Sequence, residues 1–347
     1  MTSVVGWDIG GANLKAARAE DGRIVAVTQQ PCAPHLGLAN VEQAIRAANA
    51  IMGPADIHAV TMTAELSDAF EDRLRGVASI AAIFTHEIDA PDIVFYAGAA
   101  GFVGKADVAR AAPAIASANW RASAALVARG RAEALFMDMG STTTDIVPIR
   151  GGVVAAFGED DAARLACGEL VYTGLLRGAP AAGLALAPVD GQWTALVDEQ
   201  FATMADVHRI LDNIPPGADV APTVDGRART REASRARLAR IVGRDARDGA
   251  EGQWDALAAF FARAQMRRIE DQIALIASRD AFVSRAPIVG AGVGRGVIAA
   301  WARRTGREFH DFDEFIPATP EARAAASDCA AACAAALLAG ETPVDHT

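Results

Sequence analysis

Two short segments of the sequence combine an aspartate with small residues in a pattern that suits phosphate binding. Each begins with an aspartate at the end of an apolar stretch, and small residues follow it. A turn built from small residues exposes consecutive backbone N–H groups, which favour an anion. The phosphate-binding candidates are Asp8, Gly10, Gly11 and Asn13 in the first segment and Gly140, Ser141, Thr142 and Thr143 in the second.

The two segments align with each other without gaps at an offset of 130 residues. In that alignment Asp138 falls on Asp8, and Gly140 falls on Gly10. One such turn alone is typical of an ordinary tight hairpin. A second copy at a matching position indicates an internal repeat, so the sequence predicts two related phosphate-binding hairpins.

Carboxylates and one lysine near these turns are the candidate metal ligands and catalytic groups. Asp8, Asp138 and Asp145 are predicted to hold Mg²⁺, which binds carboxylates, phosphates and water. Lys15 is expected to reach the bound oxygens, unless it is a solvent-facing strand residue. Glu65, at the end of an apolar strand, is the first candidate for a general base and Asp138 is the second. The alternative for Glu65 is an ordinary surface or helix N-terminal carboxylate.

A glycine-rich turn near the end of the sequence is a candidate site for a flat, bulky ligand. Gly290, Gly292 and Gly294 follow an apolar strand and open a helix, so the backbone there can approach a nucleotide or another substrate closely. The alternative is a helix start that is glycine-rich because it packs closely.

Two better-known phosphate motifs do not fit the sequence. The P-loop pattern fails because five residues separate Gly98 from Gly104, where the motif needs four, and Ala106 stands in place of the Ser or Thr. A Rossmann pattern at the later glycine-rich turn fails because Arg295 stands where the third glycine belongs.

The elements that must position these groups follow an α/β rhythm. Strands are predicted at 4–9, 14–19, 23–28, 59–63, 93–96, 135–137, 144–149, 288–290 and around 309, and helices at 41–52, 73–84, 254–276, 297–304 and 321–338. The first three strands read as an antiparallel meander. We predict a first domain over 1–130, a second over 131–182 and 285–347, and a mainly helical insertion over 183–284.

Composition limits the partners. Lys and Arg total 33 against 43 Asp and Glu, and the net charge of −10 disfavours nucleic acid and anionic membranes. No apolar run reaches the roughly 20 residues that span a bilayer, and residues 1–11 lack a signal-like pattern. We expect a cytoplasmic protein with free thiols and small-molecule partners, and the oligomeric state stays open, with a homodimer as one option.

Eight arginines lie between residues 227 and 247 with few acidic residues among them. They could meet a carboxylate or a phosphate. A solvated helix face is the favoured interpretation, so they are not taken as site residues.

The three glycine-containing turns together resemble the two phosphate loops and the adenosine loop of the actin, Hsp70 and sugar-kinase superfamily. Over nearly its full length the chain is similar to the hydantoinase/oxoprolinase-like proteins of tetrahydromethanopterin-linked one-carbon metabolism. The stretches that carry this resemblance are 6–13, 61–66, 119–120 and 168–174. The resemblance implies an α/β fold of duplicated actin-like ATPase (ribonuclease H-like) domains, with the helical insertion in the second half.

The resemblance also implies an activity. Archaeal members of the family are methanofuran-biosynthesis synthases, which join an aminomethylfuran-methyl diphosphate to a phenol and release diphosphate, and bacterial relatives would build methylofuran. The phenol would be that of tyrosine, tyramine or γ-glutamyltyramine. The enzyme would then be a transferase that forms an aryl–alkyl ether, with Mg²⁺ as cofactor. The alternative is an ATP-dependent small-molecule kinase or hydantoinase-like amide hydrolase, and a nucleotide-gated assembly protein is a third option.

Overall fold

The structure is a computed structural model, and it describes residues 2–341. The strands are β1 Ser3–Ile9, β2 Asn13–Glu20, β3 Arg23–Pro31, β4 Ile57–Met62, β5 Asp92–Tyr96, β6 Phe102–Gly104, β7 Ala134–Met139, β8 Thr144–Arg150, β9 Val153–Val154, β10 Leu170–Val171, β11 Leu186–Val189, β12 Gln192–Ala195, β13 Ile288–Ala291 and β14 Phe309–Asp311. The helices are α1 Ala39–Met52, α2 Arg73–Glu87, α3 Val108–Ile115, α4 Asn119–Gly130, α5 Asp161–Cys167, α6 Met204–Ile210, α7 Arg231–Ile241, α8 Glu251–Arg279, α9 Arg295–Thr305, α10 Pro320–Ala326 and α11 Ala330–Glu341.

These elements form three sheets. The first has the strand order β3-β2-β1-β4-β5-β6, in which β1, β2 and β3 are antiparallel neighbours and β4 pairs with β1 and β5 in parallel. The second has the order β10-β8-β7-β13-β14, with β9 paired to β8, and β11 and β12 form a separate hairpin. Alternating strands and helices of this kind confirm the predicted α/β class.

The chain divides into two compact units. Unit 1 comprises the described parts of Met1–Phe136, Val147–Arg164 and His310–Thr347, and unit 2 comprises Met137–Ile146 and Leu165–Phe309. The domain boundaries predicted from the sequence stay a prediction, and residues 1 and 342–347 of those domains lie outside the described residues.

The core of unit 1 lies on the two faces of the first sheet. Trp7 in β1 is fully buried, its Nε1 donates to His58 Nδ1 at 3.1 Å, and its ring meets Phe84 of α2 edge-on. Burial lowers the pKa of His58 to about 4, so the imidazole is neutral at pH 7. Gly6 faces the opposite side, where a Cβ atom would collide with the backbone of Ala332 in α11. Only glycine lets β1 and α11 approach this closely.

The last helical stretch, Pro320–Glu341, has the length and composition of a membrane-crossing helix, but 78% of its apolar window is buried inside the protein. It packs on β1, β2, β4 and α4 as a core helix of unit 1. The predicted single helix over 321–338 is wrong in one detail, because a 3-10 turn at Ser327–Cys329 separates α10 from α11.

Unit 2 holds the segment that the sequence predicts to be mainly helical. The helices α6, α7 and α8 are present and share one apolar cluster, and the long helix predicted over 254–276 is confirmed within Glu251–Arg279. The hairpin of β11 and β12 was not predicted, although its Asp190-Gly191 turn, in which both residues have positive φ, is a standard hairpin signal.

Two arginines of the 227–247 segment are not solvated, so the expectation of a uniformly solvated face is wrong for them. Arg237 is 1% exposed and forms an ion pair of 2.7 Å with Asp206. Arg235 is buried as well and pairs with Asp255 at 2.9 Å. A buried guanidinium needs such partners because its desolvation is otherwise very costly. These two arginines therefore hold α7 to its neighbours and are structural.

Candidate functional site

The first predicted hairpin forms in unit 1, between β1 and β2. Gly10 N donates to Asn13 O at 3.1 Å and closes the turn. A Cβ atom on Gly10 would lie 2.7 Å from that oxygen, whereas one on Gly11 would meet nothing within 4 Å. Gly11 therefore borders open space, as a residue that lets a ligand approach the backbone must.

Asp8 and Lys15 occupy opposite positions of this hairpin. They are direct partners in the β1–β2 register, so their side chains leave the same face of the sheet. Asp8 is 8% exposed, and Asn119 Nδ2 donates to its Oδ1 at 3.5 Å. Asn119, the first residue of α4, belongs to a stretch that carries the family resemblance, but it was not predicted as a site residue.

The second predicted hairpin forms in unit 2, between β7 and β8, with the same closure. Gly140 N donates to Thr143 O at 2.9 Å, which repeats the bond of the first turn at the same offset. The carbonyl groups of Gly140 and Ser141 are bound by the N–H groups of Leu175 and Leu176. Within residues 2–341, the N–H groups of Ser141 and Thr142 have no backbone acceptor in the turn, so they are available to an anion.

Asp138 and Asp145 lie on the two strands of the second hairpin, in β7 and β8, and both are half-buried. The 130-residue offset puts Asp145 at the position of Lys15, so a carboxylate replaces an ammonium group there. A hairpin with two carboxylates is better suited to a cation, and one with a lysine to a phosphate oxygen.

The glycine-rich turn lies against the second hairpin within unit 2. A Cβ atom on Gly292 would collide with Asp138 Oδ1, and one on Gly294 with the side chain of Met139. One on Gly290 would lie 2.5 Å from the ring of Phe309. These glycines are explained by close packing, and their predicted role in holding a nucleotide or substrate stays a prediction.

Within the described part of the chain, three of the five buried side-chain N and O atoms of unit 1 that have no hydrogen-bond partner lie near the first hairpin. They are Asn13 Oδ1, Thr61 Oγ1 and Glu65 Oε2. Thr61 is the register partner of Asp8 in β4, so all three lie at the end of the sheet where the first hairpin turns. Buried polar atoms are satisfied in nearly all folded proteins, and an unsatisfied cluster indicates a ligand or water.

Glu65 lies in the first turn of the 3-10 helix that follows β4 and is 1% exposed. Of the two alternatives, the surface carboxylate is wrong, whereas the position at a helix N-terminus is what the structure has. Gly76 of α2 packs directly on it, since a Cβ there would lie 2.6 Å from Glu65 O. Burial raises the pKa of Glu65 to about 7, and the hydrogen bond from Ser117 partly offsets this effect. A carboxylate with such a pKa can both accept and return a proton near neutral pH.

Ser117 connects Glu65 to a second carboxylate. Its Oγ lies 2.8 Å from Glu65 Oε1 and 3.2 Å from Asp161 Oδ2, and burial raises the pKa of Asp161 as well. A hydroxyl has one hydrogen to donate, so Ser117 can donate to only one of the two carboxyl groups. The second contact is a hydrogen bond only when that second carboxyl group is protonated and donates to Ser117 Oγ. Ser117 also has a left-handed backbone with φ of 52°, a strained conformation for serine that the surrounding structure must stabilise.

The residues present fit a magnesium ion that is bound mainly through phosphate. Among residues 2–341, no three His, Cys, Asp or Glu side chains come together as a metal cage. Mg²⁺ commonly takes one or two carboxylates and completes its shell with phosphate oxygens and water. Asp8 is a buried aspartate that lies beside side-chain oxygens without hydrogen-bond partners, and it matches that donor set.

Three comparisons with known proteins place the chain in context. The family model for hydantoinase/oxoprolinase matches residues 56–336. An ATP-dependent acetone carboxylase in its nucleotide-free form superposes with a TM-score of 0.54 at 12% identity, over 96% of this chain and 70% of that protein. At this identity the likeness concerns the fold alone, and it confirms the predicted actin-like ATPase fold.

Two curated relatives carry the name (4-{4-[2-(gamma-L-glutamylamino)ethyl]phenoxymethyl}furan-2-yl)methanamine synthase. The one from Methanocaldococcus jannaschii is 34% identical over 189 residues, which are 54% of this chain and 56% of the relative. The one from Methanococcus vannielii is 35% identical over 109 residues, which are 31% of this chain and 48% of the relative. The match thus spans about half the length of each relative.

Proposed function

The chain belongs to the hydantoinase/oxoprolinase family, and from that premise we propose that it forms an aryl–alkyl ether in the biosynthesis of methanofuran or methylofuran. A phenol oxygen attacks the methylene carbon of an aminomethylfuran-methyl diphosphate. The new C–O bond replaces the bond to diphosphate, which leaves, and the phenolic proton passes to a base. This is a transferase reaction, and the name of the curated relatives supports it, because it describes a phenoxymethyl link to a furan.

The observation that carries the proposal is the position of Glu65. It combines an unpaired buried oxygen, a pKa near neutrality and a location at the same end of the sheet as Asp8. In the proposal Glu65 accepts the phenolic proton, and Ser117 and Asp161 pass it on. Asp138 is retained as the second candidate for the base.

The leaving group is assigned to the hairpins. Gly10, Gly11 and Asn13 of the first hairpin offer backbone and side-chain groups to phosphate oxygens, with Lys15 as the cation. The second hairpin offers Gly140, Ser141, Thr142 and Thr143 in the same way. Bound magnesium would neutralise the charge that grows on the departing diphosphate, and Asp8, Asp138 and Asp145 are its proposed ligands. Small molecules are the proposed partners and the cytoplasm the proposed location.

The reaction itself is the direct test. We expect the protein, given Mg²⁺, an aminomethylfuran-methyl diphosphate and tyrosine, tyramine or γ-glutamyltyramine, to release one diphosphate for each ether detected by mass spectrometry. Asp8→Ala and Asp138→Ala should each lower the rate by about 10²-fold, the usual effect of losing one charge-stabilising group. Absence of product with every phenol would overturn the proposal.

A second function is favoured by one observation, the likeness to an ATP-dependent carboxylase. In that alternative the same turns hold ATP, and Gly290, Gly292 and Gly294 border its nucleoside, in an ATP-dependent kinase or amide hydrolase. Calorimetry with ATP-Mg²⁺ and with diphosphate-Mg²⁺ separates the two. Tight ATP binding with substrate-stimulated ADP release would favour the alternative.

A further inference from the structure

Unit 2 contains a cavity of ≈ 200 Å³ beside the second hairpin. Its lining is mixed: Pro180, Leu184, Met204 and Phe261 are among the apolar members, and polar and charged side chains complete it. An apolar protein cavity of about 150 Å³ accepts benzene, so this one has room for a single aromatic ring with a short substituent.

A chain of hydrogen bonds leads from Asn213 to two groups at the cavity, and each bond of the chain has an assigned donor. Asn213 Nδ2 lies 3.1 Å from His208 Nδ1, and His208 Nε2 lies 2.8 Å from Gln265 Oε1. Burial lowers the pKa of His208 to about 4, so the ring is neutral and one nitrogen accepts while the other donates. The amide of Asn213 can only donate through nitrogen, which assigns the proton of His208 to Nε2. Gln265 Nε2 then donates to Thr173 Oγ1 at 2.9 Å and to Gly174 O at 2.7 Å.

This chain leaves the Thr173 hydroxyl with a proton to donate. Its oxygen already accepts from Gln265, and within the described chain no group accepts the hydroxyl hydrogen. Thr173 is 4% exposed and lines the cavity. A buried hydroxyl that lacks an acceptor is suited to donate to an oxygen of a ligand in the cavity.

The exposed rim of the cavity carries charge. Arg267, Arg268 and Asp271 line it from consecutive turns of α8, and Arg267 and Asp271 are exposed. Neither guanidinium takes part in an ion pair or hydrogen bond with another described residue. A carboxylate next to an ammonium group complements this rim, since guanidinium groups bind carboxylates with two hydrogen bonds.

Thr173 places its part of the cavity next to the second hairpin. Gly174, directly after Thr173, packs on the turn so closely that a Cβ atom would lie 2.6 Å from Gly140 O and Thr142 N. An oxygen held by Thr173 is therefore at the end of the cavity that borders the turn.

We propose that this cavity binds the acceptor substrate as a phenol that carries an amino-acid group at its far end. Thr173 holds the phenol oxygen, and Arg268 with Arg267 and Asp271 binds the carboxylate and ammonium groups. The substrate class rests on the proposed ether synthesis. Tyrosine carries both charged groups on a short substituent and so matches the size of the cavity. γ-Glutamyltyramine carries them on a longer chain, tyramine lacks the carboxylate, and p-cresol lacks both charged groups.

Calorimetry tests the cavity without requiring turnover. Tyrosine should bind to the wild-type protein at least about tenfold more tightly than tyramine or p-cresol, as expected for a charge-assisted contact. Arg268→Gln should abolish that preference, and Leu184→Trp, which fills the cavity, should weaken binding of all three ligands. Arg263→Gln, on the same helix but outside the cavity, is the matched control and should leave every affinity unchanged.

Thr173 is a positioning residue, and its test separates position from folding. Thr173→Val should lower kcat for every phenol by about tenfold, and Thr173→Ser, which keeps the hydroxyl, should restore it at an unchanged melting temperature. Equal binding of tyramine and tyrosine, or wild-type affinities in both Arg268→Gln and Leu184→Trp, would overturn the cavity assignment. Failure of the proposed function is a separate result, because it appears as no diphosphate release although the calorimetric preference is present.

Discussion

Replacement of Glu65 by Gln is expected to lower kcat by about 10² to 10⁴-fold, the range for loss of a general base. Glutamine has the same shape, and its amide oxygen can still accept the 2.8 Å hydrogen bond from Ser117. It cannot accept the phenolic proton. The measurement is the rate of diphosphate release at saturating substrate, and kcat/KM of the wild type should rise with pH through about 7, the pKa of Glu65.

The same substitution lowers activity but should raise stability at high pH. The pKa of Glu65 is raised from 4.5 to about 7 in the folded protein, so the favourable contribution of its protonated form is complete below pH 4.5 and is lost as pH rises through 7. The glutamine side chain of the Glu65→Gln variant cannot ionise, so the variant escapes this loss. The difference in the free energy of unfolding, variant minus wild type, should therefore increase by about 3 kcal/mol from pH 4.5 to pH 8.5.

Urea unfolding at the two pH values measures this gain. Glu71→Gln is the matched control, because Glu71 is exposed and its only described ion pair is with Arg75 on the surface. That control should change neither the rate nor the pH dependence of stability. A Glu65→Gln protein with wild-type kcat would show that Glu65 is a buried structural acid, and the base would then have to be sought at Asp138.

The hairpins could be predicted from the sequence because their chemistry is local. Asp8 and Gly10 lie two residues apart, and their turn closes through a bond between Gly10 and Asn13. The repeat of that bond between Gly140 and Thr143 follows from the repeat of the residue types. Short-range turn chemistry of this kind depends little on the rest of the fold.

The proton path and the cavity could not be predicted in this way. Ser117 lies 52 residues from Glu65 and 44 from Asp161, and no motif connects them. Gln265 lies on the apolar side of a helix, where the periodicity predicts only core packing, and Thr173 is 92 residues away from it. Contacts of this kind are created by tertiary packing, and the sequence alone carries no signal for them beyond the presence of polar residues at buried positions.

Gly174→Ala should have a large effect on both the second hairpin and the cavity. The added Cβ would lie 2.6 Å from Gly140 O, Ser141 C and Thr142 N, and all three are backbone atoms that cannot rotate away. Since Gly174 is not in the left-handed region, the effect is steric and not conformational. We expect a loss of more than about 3 kcal/mol in the free energy of unfolding, the upper end for overpacked sites.

The displacement should also affect ligand binding, because the N–H groups of the turn and the hydroxyl of Thr173 move together. Affinities for diphosphate-Mg²⁺ and for tyrosine should both fall by at least about tenfold, since each misplaced hydrogen bond costs on the order of 1 kcal/mol and several are affected. Calorimetry well below the melting temperature of the variant separates this effect from unfolding.

Gly296→Ala is the control for Gly174→Ala in the same unit. A Cβ atom on Gly296 would meet nothing within 4 Å, and the residue lies in the first turn of α9. Alanine is the better helix former by up to about 1 kcal/mol, so this variant should be as stable as the wild type or slightly more stable, with both affinities unchanged. If Gly174→Ala instead lost the affinity for diphosphate and kept that for tyrosine, the turn and the cavity would be independent sites, and the orientation of the phenol toward the leaving group would need another cause.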